Sequence, residues 1–149
     1  ARAQGRSGVC LLGAAKQKAW LTDQAFFRHF GFETVETTPN GYELLALSFD
    51  GSKPHFAPQV FQMEIDSPEL TVYYDDQCPF IHQTLEKLRR YCAENGEPLN
   101  LRHVDSLDMA KKLPCVFNNW AAFYGGKFVT VNLTDGASIL RAAQKAKNR

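Results

Sequence analysis

The most restrictive feature of this chain is a cysteine set between a β-prone run and a proline: Leu70–Ile81 reads LTVYYDDQCPFI. Leu70, Val72, Tyr73 and Tyr74 favour a strand, and Asp75-Asp76-Gln77 a tight polar turn. Pro79 opens a helix, because proline's missing N–H has no intrahelical partner at the first helical position. Cys78 is thereby placed at about the N-cap, facing the positive end of the helix dipole. Reactive thiols use that geometry, and so do strand–helix units that carry no chemistry. Asp75 and Asp76 oppose a further negative charge nearby. The residues thus leave two roles for Cys78 open: a reactive thiol for redox exchange or ligand capture, or a structural side chain. No second cysteine follows at C-x-x-C spacing, so cyclic disulfide exchange is not expected. His82, four residues on, shares a helix face with Cys78, as a thiol–imidazole pair or half a metal site. Two ligands fall short of the three or four that zinc takes, and no metal is expected.

The helix after Cys78 spans 79–94, with Ile81, Leu85, Leu88 and Cys92 on one apolar face and Asn95-Gly96 as its stop. Leu99–Val104 is a strand and Ser106–Lys112 a short helix ended by Pro114. Trp120–Tyr124 and Lys127–Asn132 flank Gly125-Gly126, a two-residue hairpin signal. Thr134 or Asp135 caps a last helix bearing Ile139, Leu140 and Ala143. Asn118, Asn119 and Trp120 form either a polar strand entry or the wall of a groove near Cys78. The order is β-α-β-α-β-β-α.

Upstream, Val9–Ala14 reads as a buried strand with Cys10 as an inert core residue, and Cys92 reads the same way. Thr22 or Asp23 caps a helix whose Phe26, Phe27 and Phe30 are expected in the core, and Gly31 ends it. Strands at 32–37 and 42–49 follow, joined by a turn at Thr38-Pro39-Asn40-Gly41. Residues 50–69, with Pro54, Pro58 and Pro68, read as a linker. His29 and His55 are expected in solvent, and Lys16 and Lys18 as a basic loop or as phosphate contacts. A mixed α/β (α+β) chain results, with a unit at 1–51, a linker at 52–69 and a second unit at 70–149.

Composition bounds the function. The formal charge of +1 over 149 residues gives no electrostatic reason to expect nucleic acid or an anionic membrane as partner. Cys10, Cys78, Cys92 and Cys115 are widely spaced, which suits a reducing cytoplasm rather than a disulfide scaffold. The apolar run after Arg2 and Arg6 is only about seven residues long, and none approaches the roughly 18 that span a bilayer. A soluble cytoplasmic chain is expected, its oligomeric state left open. It starts at ARAQGR without methionine and is expected to be part of a longer protein.

FFRHFGFETVETTPNGYELLALSF resembles the C-terminal end of a GNAT-type N-acetyltransferase, where a strand, a helix ending in Gly-Phe and a hairpin close the domain. The second half, with YYDDQCPF and FYGGKFVT, resembles a thioredoxin-like domain, and the pair resembles the YoaP-type architecture. The resemblance implies acetyl transfer from acetyl-CoA to a small-molecule or protein amine, with Lys16 and Lys18 after the first strand where such enzymes open their cofactor cleft. GNAT enzymes hold the acetyl-CoA pyrophosphate on R/Q-x-x-G-x-G/A at a helix N-terminus. Gln4-Gly5-Arg6-Ser7-Gly8 departs from that pattern, so the motif is expected upstream of Ala1. Phe27 stands where many members carry a proton-donating tyrosine. The chain by itself is therefore expected to be inactive. The competing expectation is a thiol-based, peptide-binding or metal-binding module without acetyltransferase activity. In it Cys78 is the most reactive thiol and Cys115, in a loop after Pro114, its rival.

Overall fold

The computed structural model describes residues 1–19 and 21–147, without the side chains of 146 and 147. It is a mixed α/β chain in two compact units, Ala1–Phe61 and Gln62–Arg149.

In the first unit, β1 (Gly8–Ala14), α1 (Gln24–His29), β2 (Glu33–Thr37) and β3 (Tyr42–Ser48) form an antiparallel sheet of order β1-β3-β2. The Asn40-Gly41 turn is fixed by Thr38, whose hydroxyl accepts from the Tyr42 N–H at 2.9 Å and lies 2.6 Å from Asn40 Oδ1. The central strand β3 is covered along Leu44, Leu45 and Ala46. Asp23 caps α1 by accepting from the Ala25 N–H.

Two expectations fail here. Phe26 and Phe30 are 56% and 59% exposed, and Phe27 is half-buried. At six residues α1 presents one narrow stripe to the sheet, and its polar stripe takes that place. Gln24 donates to the Ala14 carbonyl, and Arg28 reaches Thr34 Oγ1 at 2.6 Å and Glu43 Oε2 at 3.2 Å. The phenylalanines are turned outward and pack on one another, with ring centroids 5.1 Å apart for Phe26 and Phe30. Cys10 is likewise exposed rather than core. β1 pairs on one side only, with β3, and its first half is bare at both Val9 and Cys10.

In the second unit, β4 (Leu70–Tyr74), α2 (Ile81–Asn95), β5 (Leu99–His103), α3 (Leu107–Lys111), β6 (Trp120–Tyr124), β7 (Lys127–Thr130) and α4 (Gly136–Lys147) give a sheet of order β5-β4-β6-β7. β4 and β5 are parallel, in register from Leu70↔Leu99 to Tyr74↔His103, and the other pairs are antiparallel. The four-three-four spacing of Ile81, Leu85, Leu88 and Cys92 gives α2 one buried face. That face meets Leu70, Val72, Trp120, Ala122 and Ile139 in the core. On alternate residues, Tyr73, Phe123 and Phe128 stack edge-on at 5.7–5.8 Å.

Gly125 and Gly126 have φ of 60° and 77°, as the tight hairpin turn requires of both central residues. At Gly136 a Cβ would come within 2.5 Å of Tyr91 Cδ1, so glycine there lets α4 lie close on α2. Asp135 accepts from the Ser138 N–H at 2.8 Å at the start of α4. That bond holds its carboxyl below the usual range. Residues 63–65 run beside β7: Phe128 N–H donates to Met63 O, Ile65 N–H donates to Gly126 O, and Glu64 bridges to Lys127. Among the described residues no helix is long and apolar enough to cross a membrane.

Candidate functional site

Parallel pairing makes β4 and β5 end side by side, Tyr74 against His103. Ligand sites of α/β sheets gather at such carboxyl ends. After Tyr74 the chain turns sharply: Asp75 N–H donates to Asn119 O at 3.2 Å, and Asp75 Oδ1 accepts from the Gln77 N–H at 2.9 Å. Asp75 is buried by this turn, and Asp76 is left facing out.

The Asp76 carboxylate then ties three segments together. Its Oδ2 lies 2.9 Å from His103 Nε2 and its Oδ1 3.2 Å from His82 Nε2. The His103 contact is a hydrogen bond when Nε2 carries its proton, which directs that ring's Nδ1 away from the carboxylate, and His82 stands at ion-pair distance. The His103 ring is packed against Tyr74, centroids 5.2 Å apart. Beside this bridge lies a groove of about 630 Å³, whose lining includes Asp75, Asp76, His103, Asp105, Leu107 and Phe117.

Cys78 sits differently from its expected place. Phe80 occupies the N-cap position and α2 starts at Ile81. The Ile81 N–H closes a turn onto the Cys78 carbonyl at 3.1 Å. Two successive turns, at Asp75–Gln77 and Cys78–Ile81, delay the helix, so Cys78 precedes the cap by two residues. Its side chain is half-buried and packs on the core, and it does not line the groove. His82 is drawn to Asp76, a pairing that the four-residue spacing from Cys78 did not suggest. His103 lies 27 residues from Asp76 and no local motif announces it; only the register of β4 with β5 does.

In the first unit Lys16 is exposed, and Lys18 Nζ stands 5.5 Å from the centre of the Tyr42 ring. Neither lines that unit's own groove of about 440 Å³, to which Arg6, Ser7, Cys10 and Lys53 contribute. His55 Nδ1 lies 3.8 Å from Glu36. Among the described residues no group of three or more His, Cys, Asp or Glu is placed to hold a metal ion.

Burial pushes the Cys92 thiol up, with Glu97 adding to the effect, and pushes Cys115 up to about 12. Cys115 is therefore no rival in reactivity: its loop is buried, leaving it 2% exposed. A thiol whose folded pKa is raised keeps its proton when the unfolded chain has lost it. Its contribution to stability is intact below the unfolded value of about 8.5 and is lost as pH rises toward about 12, by at most about 1.4 kcal/mol per pH unit. Urea unfolding across that alkaline range should show a steeper fall in stability for the parent chain than for Cys115→Ala; parallel curves would contradict the burial effect.

Residues 98–141 match the YoaP-like family, a segment holding His103, Asp105 and Trp120 but neither Asp76 nor Cys78. Over 132 residues the chain is 30% identical to an uncharacterized N-acetyltransferase, YoaP, of Bacillus subtilis (strain 168). That match covers 87% of this chain and 53% of the relative, so the chain spans about half the length of the curated protein it matches. No solved structure matches it. The chain is thus similar in sequence to part of an N-acetyltransferase.

Proposed function

We propose that this chain is the C-terminal portion of a GNAT-type N-acetyltransferase, followed by a thioredoxin-like accessory domain. The observation that carries the reading is the 30% identity to a protein named as an N-acetyltransferase, extending over both compact units. The β1-β3-β2 order supports it, since a strand, a helix and an inserted hairpin are what the closing end of such a domain calls for. So does the second unit, where a β-α-β crossover with parallel strands precedes an antiparallel hairpin and a helix.

The chemistry would be attack of a neutral amine on the thioester carbon of acetyl-CoA. The C–N bond forms, the C–S bond breaks, and the amine's proton passes to a base while CoA leaves as a thiol. The enzyme's part is to align the two reactants and to handle those protons. Phe27 has no proton to give, and the segment at 4–8 forms a glycine turn and the start of β1, not a phosphate-cradling helix end. The first unit is accordingly proposed as the rear wall of the site.

Calorimetric titration of the chain with acetyl-CoA should show no binding in the micromolar range. Fused to the preceding half of the Bacillus relative, the chain should release CoA from acetyl-CoA when an amine is added, read by chromatographic separation of CoA. Tight binding by the chain alone would show its cofactor site to be complete. A folded fusion that releases no CoA with a broad set of amines would overturn the acetyltransferase reading.

A further inference from the structure

We draw no further inference here: the strongest candidate, the edge of β1 that is left unpaired among the described residues and bare at Val9 and Cys10, carries nothing because nothing in the structure shows what covers it.

Discussion

Treated with iodoacetamide while folded, at about pH 8, the chain should be alkylated first at Cys10 and next at Cys78, with Cys92 and Cys115 untouched until it unfolds. Two factors separate the pairs. Access is the first: Cys10 is exposed and Cys78 half-buried, whereas the other two are 2% exposed. Thiolate supply is the second. With its pKa near 12, Cys115 is ionised at that pH to on the order of one part in ten thousand, roughly a thousandfold below a solvated thiol. Peptide mass spectrometry over a time course reads all four rates at once. The order Cys10 before Cys78 inverts what the sequence alone led one to expect, because the edge position of β1 leaves Cys10 bare. Should Cys78 stay protected until denaturant is added, its packing against the core is its whole role, and thiol chemistry in the second unit falls. Faster reaction at Cys115 would mean that the 113–116 segment opens readily.

Trp120→Ala should cost about 3–5 kcal/mol, a large share of what holds a small domain together. Trp120 is wholly buried on β6, with α2 and α4 residues around it, and alanine leaves a cavity the rigid sheet cannot close. Trp120→Phe should be far milder, about 1–2 kcal/mol, for a reason specific to this site. The indole Nε1 is buried with no hydrogen-bond partner among the described residues, and such a donor carries an uncompensated desolvation cost of about 1–3 kcal/mol. Phenylalanine gives up volume but removes that donor. Urea unfolding followed by far-ultraviolet circular dichroism compares the two. If phenylalanine proves as costly as alanine, the indole N–H has a partner in solution and the volume term alone decides.

Most of the fold was legible because its signals are local. The four-three-four spacing in α2, Asn40-Gly41, Gly125-Gly126 and the aspartate caps each act within a few residues. What was misread depends on partners distant in sequence. Whether Phe26 or Arg28 faces the sheet is decided by the Ala14 carbonyl and by Glu43, which no pattern inside α1 encodes. A run such as Val9–Ala14 looks buried in any position, yet only a central strand is covered on both faces, and β1 is an edge. The helix start moved from Pro79 to Ile81 because the turn after Cys78 satisfied its own hydrogen bond first. The candidate site was the least legible part. Asp76 and His82 stand close in the chain, but the groove needs His103, which arrives only when β5 registers against β4, and Phe117, which arrives with the pairing of β6 on the other side of β4.

The strip at Met63–Ile65 also dictates an order of assembly. It hydrogen-bonds to Gly126, Phe128 and Pro114, so it has no template until the hairpin and the 114 loop exist. The strip is held by three backbone hydrogen bonds at the rim of the sheet, whereas β4 is paired on both sides, by β5 and β6. The strip should therefore dock late and detach early, giving the Met63 and Ile65 amides faster native-state exchange than those of β4. A chain cut at Leu70 would never receive it. The outer rim of β7 would then stay open as a template for another copy of itself.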